Sequence, residues 1–97
     1  MVDALDLPAG RQAQNPYEFM YTVYALKSLE KNYIYVGMTS ALQRRINAHN
    51  SGYERTTRPY LPFTLIYSEE HASRISARQR EKYLKSGAGK EYLKALI

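Results

Sequence analysis

The sequence predicts an α/β domain in which a small, three-stranded, mainly antiparallel sheet is flanked by helices, in the order β-β-α-β-α-α. Residues 20–27, 33–38 and 61–68 are rich in Tyr, Val, Ile and Leu, and such side chains suit a pleated, half-buried surface. Residues 42–50 and 74–85 place their few apolar side chains at helical spacing, as amphipathic helices do. A chain of 97 residues is enough for one domain with a modest core.

The first two strands are close enough in the chain to form a hairpin. Residues 29–32 are its predicted connection. Thr39 or Ser40 offers a hydroxyl that can cap the first helix. That helix should end near the Asn-Ser-Gly sequence at 50–52, which is typical of helix stops. The third strand is predicted at 61–68, after a turn that contains proline, a residue that is found at the start of strands rather than in their centre.

The second helix is predicted over residues 74–85, with Ser73 as its N-cap. Gly87 and Gly89 follow it closely, and glycine favours the end of a helix. We therefore expect these two glycines to break the helix and a short terminal helix to span 90–97.

Residues 1–19 contain two prolines and mixed polar side chains without a helical or strand period. We interpret them as a flexible leader or N-terminal extension, which assigns residues 20–97 to the domain. They lack the basic start and apolar centre of a signal peptide, and no run of about 18 apolar residues could span a membrane. The absence of cysteine excludes disulfides, thiolate metal sites and cysteine nucleophiles. These features predict a cytoplasmic protein with no membrane partner.

The positive charge of the chain is unevenly distributed. Residues 1–19 carry one basic and three acidic side chains, whereas residues 20–97 carry 13 basic and six acidic ones. The domain alone therefore has a net charge of +7 within a chain total of +5. A compact basic domain attracts polyanions, nucleic acid first. A basic surface that serves only solubility is the alternative.

A helical wheel separates the polar residues of the first helix into two groups. Leu42 and Ile46 form its apolar stripe, and successive residues turn by about 100°. His49 and Arg45 then lie at the border of that stripe, near the sheet, whereas Arg44 faces water. Taken singly, Arg45 could simply cover the core edge with its stem, and His49 could be a helix-end residue favoured by the dipole. Their i,i+4 pairing opposite a tyrosine-rich strand favours a functional site.

The second helix carries a carboxylate beside its apolar stripe. Ala77 and Leu84 define the stripe, and Glu81 lies about 40° from Ala77. Burying a carboxylate is costly unless it is paired or binds a cation. A stripe of basic residues lies next to it: Arg74, Arg78, Lys82 and Lys85. Without any function, Glu81 would form a salt bridge and the basic stripe would be a solvated charged face. The functional alternative is a metal ion at Glu81 beside a phosphate bound by the stripe.

This set of residue types is the one that phosphodiester hydrolysis needs. The reaction requires a cation, a positioned water and a donor for the growing negative charge. Glu81 is the candidate ligand of a hard ion such as Mg²⁺, and Arg45 is the candidate donor. Tyr24, Tyr35 and His49 are candidates for orienting water or moving protons. No histidine spacing or cysteine pair indicates zinc.

Four motifs in order give the chain a resemblance to a known family. They are YTVYALKS, YIYVGMT, LQRRINAHN and ARQREKYLK. With these motifs, residues 20–97, roughly 80% of the chain, resemble the GIY-YIG nuclease domain, closely the small stand-alone bacterial type. They are also similar to the N-terminal nuclease domain of the excision-repair nuclease. Thr22 stands where the first signature usually has glycine, and Met38 where repair nucleases often carry lysine.

The resemblance implies metal-dependent hydrolysis of one DNA strand at a time. It implies that Tyr24 and Tyr35 line the site, with Tyr24 as base or water-orienting group. By the same resemblance, Arg45 stabilises the phosphate in the transition state and Glu81 binds the divalent ion. His49 stands at the position where members of the family carry tyrosine or histidine. Gly37 permits close backbone packing beside the site.

The function predicted from the sequence is therefore a DNA endonuclease with a single Mg²⁺ or Mn²⁺, which nicks DNA and acts in repair, including structure-selective cleavage. A non-catalytic nucleic-acid binding module with the same fold is the alternative. We expect a monomer or weak dimer. The predicted nucleic-acid-binding residues are Arg55, Arg58, Arg74, Arg78, Lys82 and Lys85.

Overall fold

The computed structural model describes residues 20–97, so the predicted leader at 1–19 lies outside the described residues. The strands are β1 (Tyr21–Ser28), β2 (Ile34–Thr39) and β3 (Phe63–His71), and the helices are α1 (Leu42–Asn50), α2 (Arg74–Lys85) and α3 (Gly87–Lys94). A 3₁₀ turn spans Arg58–Tyr60. The order β-β-α-β-α-α confirms the predicted fold class. Within 20–97, no helix has both the length and the apolar character needed to cross a membrane.

The sheet is antiparallel, and β1 is its central strand. The strand order is β2-β1-β3, and Tyr24 of β1 lies opposite Gly37 on one side and Ser68 on the other. The register between β1 and β3 shifts by one residue after Ala25, as at a β-bulge. Because β1 has a neighbour on each side and helices over both faces, nearly all of it is buried.

Successive residues of a strand point to opposite faces, so β1 contributes to two cores. One core lies between the sheet and helices α2 and α3, and its buried members are Tyr21, Val23, Ala25, Ile34, Val36, Ala77, Leu84 and Leu93. The other contains Tyr24, Leu26 and Phe63, with Leu42 and Ile46 of α1 packed against them. The apolar stripes predicted for α1 and α2 therefore face the sheet from opposite sides.

The predicted cap of α1 is wrong. Ala41 is the N-cap residue and makes no side-chain capping bond. The Thr39 hydroxyl instead accepts a hydrogen bond from the Ala41 N–H at 3.0 Å, so it closes the turn that leaves β2 before the helix begins. Strand β3 also differs from its predicted range of 61–68 and runs from Phe63 to His71, because its far end pairs with the start of β1.

Ser86, not a glycine, separates α2 from α3. Its backbone is extended, and its hydroxyl accepts a hydrogen bond from the Gly89 N–H at 3.2 Å. Gly87 and Gly89 therefore lie inside α3, which spans 87–94 rather than the predicted 90–97. The predicted N-cap of α2 is confirmed, because the Ser73 hydroxyl accepts from the Ser76 N–H at 3.0 Å.

Gly89→Ala should destabilise the domain, because a Cβ there would lie 2.1 Å from the Tyr83 carbonyl oxygen and 2.4 Å from the Leu84 Cα. Overpacking of this kind costs about 1–3 kcal/mol, so thermal melts should show a fall in Tm of roughly 10 °C. Gly87→Ala is the matched control, because nothing lies within 4 Å of its Cβ. Similar melting temperatures for the two variants would contradict the close approach of α2 and α3.

Candidate active site

Gly37 makes room for a tyrosine hydroxyl at the interface between the sheet and α1. Tyr24 is fully buried, and a Cβ on Gly37 would lie 2.8 Å from its Oη and 2.9 Å from Cε2 of Tyr35. The two tyrosine rings are 6.1 Å apart between centroids. A glycine directly opposite Tyr24 on the neighbouring strand thus lets both tyrosines share one face of the sheet.

His49 links this tyrosine to the loop that follows α1. The side chain of His49 is buried, its Nε2 lies 3.1 Å from the Tyr24 Oη, and its Nδ1 lies 2.8 Å from the Thr57 Oγ1. The Thr57 hydroxyl donates to the Glu54 carbonyl oxygen at 3.5 Å. We assign the proton of the neutral His49 ring to Nδ1, which is consistent with this bond: Thr57 then accepts from Nδ1–H, and Nε2 accepts from the Tyr24 hydroxyl. The order Tyr24–His49–Thr57 forms a chain in which each group donates to the next.

The surroundings keep the Tyr24 hydroxyl and the His49 imidazole in their neutral forms at pH 7. Burial and then the neighbouring Tyr35 raise the pKa of Tyr24 to about 12, against a lowering by Arg45. Burial and then the Arg45 charge lower the pKa of His49 below its usual 6.5. Tyr24 is therefore a phenol, and the unprotonated Nε2 of His49 is positioned to receive its proton.

Arg45 lies beside this chain and pairs with a carboxylate. Its Nη1 is 2.7 Å from the Glu54 Oε1, and its side chain is 34% exposed, so it borders the apolar face as the wheel predicted. Arg44 is exposed, also as predicted. An open cavity of about 300 Å³ adjoins both arginines and is lined by Met38, Thr39, Arg44, Arg45, Ala48, Tyr53 and Glu54.

Glu81 lies on α2, against the opposite face of the sheet from α1. Its side chain is only 13% exposed, so it borders the core as predicted. Its carboxylate oxygens lie 3.2 Å from the Lys85 Nζ and 3.6 Å from the Arg78 Nε. The contacts of Glu81 are thus with its own helix, whereas Tyr24, Tyr35, Arg45 and His49 form a cluster with one another.

Glu81 offers a single carboxylate, paired with Arg78 and Lys85, rather than one member of a group of metal ligands. Within residues 20–97, no three His, Cys, Asp or Glu side chains are grouped so as to hold a metal. A lone, partly accessible carboxylate such as Glu81 suits Mg²⁺, which keeps several of its waters and takes phosphate oxygens as ligands.

The six predicted nucleic-acid-binding residues lie on two parts of the domain, the loop after α1 and helix α2. Arg55 is exposed on the loop after α1, and the Arg58 Nε donates to the Gly52 carbonyl oxygen at 2.7 Å. Arg74, Arg78 and Lys82 line a shallow cavity on the outer side of α2, together with Ile75 and Gln79. Lys85 faces a different cavity, next to Tyr35.

Sequence reasoning missed Glu54 and Thr57, which complete the cluster. Both belong to the stretch YERTTRPY, interpreted only as a basic loop. One signal was available in the sequence. Glu54 is a lone carboxylate nine residues after Arg45, and the helix stop between them indicates that the loop turns back toward the sheet. Gly52, at a φ of 80°, makes that return, because glycine adopts this conformation at little cost.

Comparison with known proteins identifies the family. A sequence model described as the GIY-YIG catalytic domain matches residues 20–93. The chain belongs to the GIY-YIG family. This is a family of nuclease domains, which act on nucleic acids.

Several bacterial proteins are similar to this chain over about two thirds of its length or more. The chain is 39% identical over 67 residues to a UPF0213 protein of Clostridium perfringens, which covers 68% of this chain and 71% of that protein. It is 39% identical over 64 residues to a UPF0213 protein of Streptococcus pneumoniae; the match covers 65% of this chain and 64% of that protein, just under two thirds of its length. The solution NMR structure of a UPF0213 protein from Bacillus halodurans matches with a TM-score of 0.50 and 32% identity, over 80% of this chain and 85% of that one.

The buried His49 should make the fold less stable in mild acid. Its pKa is lowered in the folded protein, so the unfolded chain binds a proton more readily as the pH falls through about 6.5. The Tm should therefore fall between about pH 7.5 and 5.5, and level off once the pH is below the folded pKa. His49→Gln should have a lower Tm throughout and a shallower dependence on pH. Parallel curves for the two proteins in circular dichroism melts would contradict this role.

Proposed function

We propose that this protein is a metal-dependent endonuclease that hydrolyses phosphodiester bonds in DNA and nicks one strand at a time. The observation that supports the proposal most strongly is the proton chain from Tyr24 to His49 and Thr57, with a guanidinium beside it. A buried phenol bonded to an unprotonated imidazole is suited to proton transfer. Simple packing of a tyrosine does not require this arrangement.

In the proposed reaction, Tyr24 orients the attacking water and takes its proton once substrate binding opens access to its hydroxyl, which is buried in the free protein. A phenol with a pKa of about 12 acts as a base only as it gives up its own proton. His49 Nε2, at 3.1 Å from the hydroxyl oxygen, is the acceptor within reach. The water's proton and the phenolic proton thus move together, and the hydroxide attacks phosphorus as the P–O bond to the leaving oxygen breaks.

Arg45 is the proposed donor to the phosphoryl oxygen, which gains negative charge in the transition state. Its guanidinium is bonded to Glu54 in the free protein, and its side chain is one-third exposed. Arg45 has five N–H donors, so it can bind a phosphate oxygen while it keeps a bond to Glu54. A fixed donor of this kind typically contributes two to three orders of magnitude to the rate.

Glu81 is the proposed ligand of a single Mg²⁺ or Mn²⁺. When bound, such an ion would neutralise charge on the phosphate and lower the pKa of a coordinated water. Glu81 would exchange its contacts with Arg78 and Lys85 for the ion. Those two cations, with Lys82 on the same helix, would then be available to DNA phosphates.

A non-catalytic nucleic-acid binding module is the second candidate, and one observation favours it. Both charged groups assigned to catalysis are already paired, Arg45 with Glu54 and Glu81 with Lys85. A protein that used these pairs only for stability would keep the fold and the basic surface without cleavage. A nicking assay separates the two candidates: supercoiled plasmid and branched or flapped DNA are incubated with Mg²⁺, Mn²⁺ or chelator. Metal-dependent nicking supports the endonuclease, and preference for branched DNA supports a role in repair.

Arg45→Ala should lower the nicking rate by about a hundredfold or more, the scale expected for the loss of one transition-state donor. Arg44→Ala is the matched control, because it removes the same charge from the adjacent, exposed position. It should cost only a modest amount of DNA binding. Equal losses of rate, with both variants folded by circular dichroism, would refute the assignment of Arg45.

Glu81→Gln should abolish nicking and leave DNA binding measured in chelator nearly intact, because it removes an anionic ligand but no phosphate contact. Glu91→Gln, which changes an exposed carboxylate on α3 that lies 3.6 Å from the Lys94 ammonium, should nick at the normal rate. Nicking by the Glu81 variant at the normal rate would exclude this residue as the metal ligand.

A further inference from the structure

Strand β2 lies at the edge of the sheet, and a groove follows it. Within residues 20–97 the strand order is β2-β1-β3, so β2 has a sheet partner on one side only. Two cavities of about 220 and 360 Å³ lie along it and share Tyr33, Ile34 and Lys90 in their linings. We call this continuous depression the β2 groove. Its principal lining residues are Tyr33, Ile34, Tyr35, Lys85, Lys90 and Lys94.

Three lysines from α2 and α3 converge on this groove. The Lys90 ammonium donates to the Ile34 carbonyl oxygen at 2.9 Å and is thereby fixed against β2. Burial, and then the charges of Lys85 and Lys94, lower the pKa of Lys90, so both neighbouring ammonium groups repel that of Lys90. The nearby carboxylates are Glu81, bonded to Lys85, and the exposed Glu91, 3.6 Å from Lys94. The groove therefore favours a bound anion that would relieve this repulsion.

The spacing of these residues matches a chain of phosphates better than a single one. Lys90 and Lys94 are one turn apart on α3, a rise of roughly 6 Å, which is comparable with the distance between successive phosphates of one nucleic-acid strand. Tyr33 and Tyr35 are two residues apart on β2, again roughly 6–7 Å. The two rings pack on the α1 side of the sheet, and one face of the Tyr33 ring is covered by Tyr60, with centroids 3.8 Å apart. A strand that crosses the edge at β2 could place its phosphates on the lysines and its bases on the outer faces of these rings, as on other surfaces that bind single strands.

The groove also leads to the candidate active site. Tyr35 lines it and packs against His49, with ring centroids 4.7 Å apart. Lys85 lines it as well and contacts Glu81. One residue of the groove thus touches the tyrosine–histidine cluster, and another touches the proposed metal ligand.

We propose that the β2 groove is the path by which a single nucleic-acid strand reaches the active site. Phosphates lie on Lys85, Lys90 and Lys94, and bases stack on Tyr33 and Tyr35. This inference rests on the proposed nuclease function for its biological purpose, but strand binding can be measured without cleavage. It adds Lys90 and Lys94 to the nucleic-acid surface and separates them from the stripe on the outer side of α2.

The test measures binding of a fluorescent 12-base DNA strand of mixed sequence by anisotropy, in chelator, over a range of salt concentrations. Lys94→Gln should weaken binding about fivefold at 0.1 M salt and reduce the slope of log affinity against log salt by about 0.7, the loss of one single-strand phosphate contact. Lys90→Gln should do the same, and Lys90→Arg should restore binding because it keeps the charge.

Arg44→Gln is the control for net charge. Arg44 is exposed on α1, which packs on the opposite face of the sheet from α2 and α3. This variant should change the salt slope far less than Lys94→Gln. Equal changes in all three glutamine variants would show that only net charge matters and would overturn the groove as the path.

Amine acetylation read by mass spectrometry gives a second measurement on the unaltered chain. The 12-base strand should protect Lys90 and Lys94 from labelling; equal labelling of these two lysines with and without the strand would overturn the proposal. Protection in a protein that fails to nick DNA would support the groove and refute the nuclease. Nicking of DNA without protection of the lysines would support the nuclease and refute the groove.

Discussion

The hydrogen bond between Tyr24 and His49 is the contact on which the rest of the site depends. It joins the central strand to α1 across a buried interface, where an unpartnered hydroxyl or imidazole would cost about 1–3 kcal/mol. It forms only because Gly37 leaves space for the phenol. By fixing His49 it also fixes Thr57, and the same loop brings Glu54 to Arg45. One polar contact thus determines where the loop lies and where the guanidinium points.

The double-sided sheet explains why the candidate site is divided. Alternate residues of β1 belong to different cores, so Tyr24 faces α1 while Val23 faces α2 and α3. The tyrosine–histidine cluster and Glu81 are consequently built on opposite faces. The natural meeting point of two faces is an edge of the sheet, and β2, which carries Tyr35 and packs against α2, is such an edge. The position of the β2 groove follows from this geometry.

Side-chain periodicity was enough to predict the element order, the faces of both long helices and the contrast between Arg45 and Arg44. These properties depend on residues close together in the chain. The features that were missed depend on longer-range geometry. Thr39 fits the pattern of a helix cap, yet the turn out of β2 uses its hydroxyl first. Gly89 fits a helix stop, yet it is needed because α3 passes against Leu84. Glu54 and Thr57 became site residues only when the loop returned to the sheet.

Electrostatic balance is the last constraint that the site must satisfy. Arg45 and Glu81 are both partly withdrawn from water, and an unpaired charge in such a position is unfavourable. Each is therefore paired in the free protein, with Glu54 and Lys85 respectively. A phosphate can share Arg45 with Glu54, and a divalent cation can replace Lys85 at Glu81 while the released ammonium turns to the phosphate. Substrate and metal would then complete each other's charge balance, so the binding of either one would favour the other. The ion pairs that stabilise the free domain would thus couple the binding of the substrate to the binding of the metal.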